Sequence, residues 1–113
     1  STRILRLAKQ VFESNVNKTM RHLSRSLRHY YASDYMAALQ EVELALQYNP
    51  ELAVAYARRG SIYFKLGDEQ KATINWNLAL KLDPEYEEVR NILQALHDNR
   101  LKSAETTNDP NGL

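Results

Sequence analysis

The sequence predicts an all-α protein, and three observations carry that reading. The 113 residues hold only three Gly and three Pro, too few turn formers for a domain built from short strands. Leu, Ala, Arg and Glu, which favour helices, are among the most frequent residues. Apolar residues recur at steps of three and four, and one such pattern returns after 34 residues: Leu44-Ala45-Leu46-Gln47-Tyr48-Asn49-Pro50 against Leu78-Ala79-Leu80-Lys81-Leu82-Asp83-Pro84. A gapless overlay of residues 17–50 on 51–84 gives seven identities, among them Asp34/Asp68, Ala38/Ala72, Ala45/Ala79 and Leu46/Leu80. The expected architecture is a short right-handed α-solenoid of antiparallel helix pairs, about six helices over residues 1–102.

Taken in chain order, residues 3–15 place Ile4, Ala8, Val11, Phe12 and Asn15 where a second helix of a unit has Ala38, Val42, Ala45, Leu46 and Asn49. This segment reads as a degenerate half repeat. Repeat one follows at 17–50. Its gapless register buries His22, Arg25, Ser26 and His29, a costly choice, whereas Met20, Leu23, Leu27 and Tyr30 form an apolar stripe. A register shifted by one residue, with a shorter loop before Asp34, is therefore expected; the other register would make Met20, Leu23, Leu27 and Tyr31 the groove lining and turn it apolar. Repeat two occupies 51–84. Asn49-Pro50-Glu51 and Asp83-Pro84-Glu85 are read as helix starts, and Gly67 as a left-handed stop. Gly60, in mid-helix, is read as a point of close helix approach, since an exposed Gly there would cost about 1 kcal/mol against Ala. Residues 85–101 carry Tyr86, Val89, Ile92, Leu93 and Leu96 on one face and read as a capping helix, followed by a disordered polar tail at 103–113.

Composition narrows the chemistry. The chain has no Cys, so disulfides, thiolate metal sites and thiol nucleophiles are excluded, and the compartment stays open. No run of apolar residues is long enough to span a membrane. The start at Ser1-Thr2-Arg3-Ile4 reads as a cut from a longer protein. Gly-rich phosphate loops, nucleophile elbows and zincin motifs are absent from the sequence, and the expectation is a non-enzyme without cofactor or metal. His22 and His29 share a helix face, but zinc needs four positions. They are read as solvated, and the Glu41/Glu43 and Glu85/Glu87/Glu88 groups as helix surface. Asn17-Lys18-Thr19 has the form of a glycosylation sequon and is read as a chance triplet.

Charge is lopsided. Residues 1–31 hold seven basic groups against Glu13, while 32–113 hold eight basic and thirteen acidic groups. The basic front lacks the interleaved exposed aromatics of single-strand binders, so no nucleic acid is expected. Arg3, Arg6 and Lys9 opposite Ile4, Ala8, Val11 and Phe12 suit a membrane-surface helix, but that apolar face is expected to cover Met20, Leu23 and Leu27 instead.

Residues 53–84 resemble the tetratricopeptide repeat. Its aromatic, Gly, Tyr, Gly, Ala, aromatic, Ala and Pro positions are met by Tyr56, Gly60, Tyr63, Gly67, Ala72, Trp76, Ala79 and Pro84, and Arg59 departs from the usual Leu. The resemblance implies a protein-interaction scaffold whose first helices line a concave groove. In the shifted register that groove presents Arg21, Ser24, Arg25, Arg28 and Tyr31 from repeat one. Val54, Ala57, Arg58, Ser61, Phe64 and Lys65 come from repeat two, and Glu88, Asn91, Ala95 and Asp98 from the last helix. Such a groove implies a partner protein with an acidic or phosphorylated segment and one bulky apolar anchor. The family's two-carboxylate clamp for chaperone tails is not implied, because Ser24, Arg28, Arg58, Glu88 and Ile92 stand at its places. Two alternatives remain at this stage: head-to-tail self-association into a structural array, and a non-catalytic regulatory repeat of a larger protein.

Overall fold

A computed structural model describes residues 1–108, with side chains to Glu105. Among the described residues there are five helices and no strand: α1 (Thr2–Tyr31), α2 (Tyr35–Tyr48), α3 (Ala53–Lys65), α4 (Glu69–Leu82) and α5 (Glu87–Asn108). The pairs α1/α2 and α3/α4 are two copies of one helical hairpin. Each hairpin turn has the same length and bonding. Ala32, Ser33 and Asp34 N–H groups donate to Arg28, Tyr30 and His29 carbonyls, as Leu66, Gly67 and Asp68 donate to Ile62, Phe64 and Tyr63. Ser33 (φ 62°) takes the left-handed conformation that Gly67 (φ 85°) takes in the second turn. Asp34 and Asp68 then cap α2 and α4, each carboxylate accepting from the N–H three residues on, at 3.3 and 3.0 Å.

This correspondence overturns the shifted register: the two units align without a gap. The reason lies in two polar residues that the sequence argument treated as too costly to bury. Ser26, at the place of Gly60, is fully buried and donates its hydroxyl to the Ala38 carbonyl at 3.1 Å. His22, at the place of Tyr56, has its Nδ1 2.7 Å from Glu41 Oε2 and stacks on Tyr48 with ring centroids 5.9 Å apart. Once partnered, a polar group no longer carries the full desolvation penalty. Leu23 is buried as expected, but Leu27 and Met20 are left exposed.

The residues before α3 and α5 also differ from expectation. Asn49 and Asp83 are the C-caps of α2 and α4. Their side-chain oxygens accept from the Glu51 and Glu85 N–H groups at 3.3 and 3.1 Å, forming local turns that delay the next helix to Ala53 and Glu87. At the C-terminus, the helix expected to end at Leu101 runs on to Asn108, so 103–108 are helical; residues 109–113 of the expected tail lie outside the described residues.

The core has two parts. Leu23, Ala38, Val42, Ala45, Leu46, Ala55 and Ile62 are buried between the two hairpins. Ala57, Ala72, Trp76, Ala79 and Val89 are buried between the second hairpin and α5, with half-buried Tyr56 packing against both clusters. Alanines dominate because small residues on facing helices let the axes approach. Arg59, the departure from the family's Leu, is accommodated by buried Asn75: Arg59 Nε donates to Asn75 Oδ1 at 2.6 Å, and Asn75 Nδ2 donates to the Lys71 carbonyl at 2.8 Å.

The largest difference from expectation is α1. The sequence predicts two helices over residues 3–31, and the structure has one helix of 30 residues, about 45 Å at 1.5 Å per residue. Residues 13–19 include Ser14, Asn15 and Asn17 but neither Gly nor Pro, and the helix propagates through them. Its partner α2 has 14 residues and reaches back only to the level of Lys18, whose Nζ lies 5.3 Å from the Tyr48 ring. The N-terminal half of α1 therefore projects as an arm, and the molecule extends 75 Å along its longest axis.

Candidate functional site

The three helices that open successive units, α1, α3 and α5, line one cleft of about 210 Å³. The C-terminal end of α1 supplies Leu27, Tyr30 and Tyr31. One face of α3 supplies Val54, Ala57, Arg58 and Ser61, at helical steps of three, one and three. Tyr86, just before α5, and Glu88, Val89 and Ile92 at its start complete the walls, and Trp76 of α4 closes the floor. These positions converge because α2 and α4 are spent on the core, leaving the first helix of each unit one face free of packing.

Trp76 is the anchor of this arrangement. It is buried, its Nε1–H donates to the Ala57 carbonyl at 3.1 Å, and its ring packs 5.8 Å from Phe64. Gly60 lies directly beneath it. A Cβ at residue 60 would stand 2.6 Å from Trp76 Cδ1 and Nε1, so the glycine is required by close approach and not by backbone conformation. The expectation for Gly60 is thereby given its physical partner.

One cation and one carboxylate stand among the residues lining the cleft, Arg58 and Glu88. Arg58 Nη1 donates to the Leu23 carbonyl at 3.1 Å, which ties α3 to α1 and fixes the guanidinium at the cleft wall. The Tyr86 hydroxyl is held above its usual pKa, first by burial and next by the Glu88 charge, with Arg58 opposing and Asp83 adding. It therefore stays a neutral donor to still higher pH.

The structure gathers Tyr31, Val54, Ala57, Arg58, Ser61 and Glu88 of the expected groove into this cleft. It does not gather the rest. Arg25 and Arg28 line a separate shallow depression with His29, Ala32 and Glu41. Arg21, Ser24, Phe64, Lys65, Asn91, Ala95 and Asp98 line neither surface. The gapless register is the cause: it turns Leu27, Tyr30 and Tyr31 to the cleft and rotates the arginine row away. Leu27 belongs to the lining that the unshifted register gives, whereas Tyr30, Trp76, Tyr86, Val89 and Ile92 were missed, although the gapless overlay places Tyr30 on Phe64.

His22 and Glu41, read from sequence as surface groups, are mostly covered and paired with each other. Among the described residues no group of three His, Asp or Glu side chains converges on a possible metal position, and no helix is long and apolar enough to cross a membrane.

Fold and cleft together define a helical-repeat module. Residues 53–86 match the family model of the tetratricopeptide repeat, which places α3, α4 and the loop into α5 within that family's pattern. The match suggests a protein–protein interaction module, in a family that is generally non-catalytic. No curated protein matches the chain.

Proposed function

We propose that the chain is a scaffold module that captures an extended segment of a partner protein in the cleft between α1, α3 and α5. One bulky apolar side chain of that segment seats against Tyr31, Val54 and Ile92, and an adjacent carboxylate or phosphate meets Arg58. The observation that carries this reading is the cleft itself, a concave surface with aromatic and aliphatic walls and one fixed guanidinium. Its 210 Å³ fall below the roughly 300–1,000 Å³ of small-molecule sites, which favours a single anchoring side chain over a bound metabolite. Arginine with aromatics is the composition that concentrates binding energy. Because Arg21, Arg25 and Arg28 lie outside the cleft, the acidic requirement narrows to one anionic group beside the anchor.

Selection of a displayed random peptide library on the chain tests this. The recovered peptides are expected to share one Phe, Leu, Ile or Trp next to Asp or Glu. Ser61→Arg, which fills the cleft from the exposed side of α3, is expected to weaken them by more than about tenfold, or 1.4 kcal/mol, with the helical circular dichroism unchanged. Peptides with no such consensus, or peptides insensitive to Ser61→Arg, would overturn the proposal.

A further inference from the structure

The projecting half of α1 leaves a row of apolar side chains uncovered. Ile4, Leu5, Leu7, Val11, Phe12 and Val16 are exposed, Leu5 and Phe12 at 71% and 69%. This face was expected to fold over Met20, Leu23 and Leu27. Because α1 is continuous, it does not reach them, and Met20 is itself exposed. At 100° per residue the centre of the row lies within about 20° of the side on which Thr19, His22, Leu23 and Ser26 pack against α2. The apolar face of the arm is thus the α1–α2 contact continued past the end of α2. What fits it is a second helix, antiparallel to α1 and in line with α2.

The arm itself has the sequence of such a helix. Its Ile4, Ala8, Val11, Phe12 and Asn15 stand at the spacing of Ala38, Val42, Ala45, Leu46 and Asn49 of the second helix. A second copy of the chain therefore brings the kind of helix that the arm lacks. Two independent features set the same register. In an antiparallel pair related by a two-fold axis, like flanks meet. One alignment then sets Leu5 opposite Phe12 of the other copy and Leu7 opposite Val11, with Ala8 of both copies nearest the axis. A small residue at the crossing lets the helices approach, as Gly60 does beneath Trp76. The same alignment brings the start of one arm to the level of Val16 and Asn17 of the other. That is just short of Lys18, which reaches Tyr48 at the end of α2, so the second arm fills the open length of α1 without meeting α2. Charge stays out of the seam. Arg3 and Arg6 lie on the far side of the helix, and Lys9 stands at the rim, 4.0 Å from Glu13.

We propose that two copies of the chain pair through their arms as a closed antiparallel dimer. The overlap, about 24 Å of helix from each copy, buries on the order of 1,000 Å² in total, the low end of specific interfaces. A dissociation constant in the micromolar range is therefore expected. The clefts stay free at opposite ends of the dimer, and the pairing does not rest on what they bind.

Sedimentation equilibrium of the 113-residue chain, from low micromolar to several hundred micromolar, is expected to show a monomer–dimer equilibrium that stops at the dimer. Phe12→Glu, at a position exposed in the single chain, is expected to weaken pairing by more than about tenfold without loss of cooperative unfolding. Ser61→Arg is expected to pair like wild type. Because the chain has no Cys, oxidation of single-Cys variants reads the orientation. Ala8→Cys is expected to link two copies, whereas Ile4→Cys, about 15 Å from its counterpart in the antiparallel pair, is not. A monomer throughout, a Phe12→Glu variant that pairs like wild type, or linkage through Ile4→Cys with none through Ala8→Cys would overturn the proposal. Species that grow beyond the dimer would overturn it in favour of head-to-tail stacking.

Discussion

Trp76→Ala should lower the unfolding free energy by about 3–5 kcal/mol, the usual range for truncating a buried aromatic. For a protein of this size that is a large share of a total near 5–15 kcal/mol. The loss has three parts. The indole is almost fully buried, its N–H satisfies the Ala57 carbonyl, and its ring fills the space that Gly60 leaves between α3 and α4. Urea unfolding followed by circular dichroism measures the change, since the variant lacks the chain's single Trp as a fluorophore. Trp76→Phe should cost less, because it keeps much of the ring volume and gives up the hydrogen bond. An Ala variant within about 1 kcal/mol of wild type would mean that the second half of the core does not rest on this residue.

Gly60→Ala should also destabilise, against the ordinary direction of that substitution. In an exposed helix, Ala in place of Gly gains up to about 1 kcal/mol. Here the new methyl would stand 2.6 Å from two indole atoms, and the ring cannot swing away while Nε1 is bonded to Ala57. Either the α3–α4 spacing widens or the hydrogen bond breaks, so overpacking of about 1–3 kcal/mol is expected to outweigh the gain. The control is the same change in a Trp76→Ala background, where the clash is gone and Gly60→Ala should become neutral or stabilising. Equal effects in both backgrounds would show that the two residues are uncoupled.

The parts of the fold legible in the sequence are those where a residue type has few substitutes. Gly60 against an aromatic, Gly67 at a left-handed turn, the capping Asp34 and Asp68, and the Ala positions of the core all declared themselves. Where one physical role can be filled by different residues, the reading failed. Ser33 adopts the positive φ that a glycine usually supplies, and Ser26 fills a small-residue position by bonding to a carbonyl. His22 replaces an aromatic by pairing with Glu41 across 19 residues of sequence. For Ser26 and His22 the substitution is local in the fold but hidden in the chain, because the compensating partner sits on another helix. Counting polar residues on a face as a cost, without their partners, moved the register by one residue, and that step carried Arg21, Arg25 and Arg28 into a groove they do not line. The joining of the first two expected helices into α1 failed for a related reason: apolar spacing marks faces, and a break in a helix needs a breaker that residues 13–19 do not contain.

The cleft is the center of the functional account, and photo-crosslinking tests it most directly. A benzophenone amino acid placed at Tyr31, exposed at the mouth of the cleft, and separately at Tyr48, which lines no part of it, preserves an aromatic side chain at each position. With a peptide recovered from the library, crosslinking from position 31 and none from position 48 is the predicted result, and Ser61→Arg should suppress it. Crosslinking from position 48, or from position 31 with no response to Ser61→Arg, would place the bound segment on another face and contradict the account.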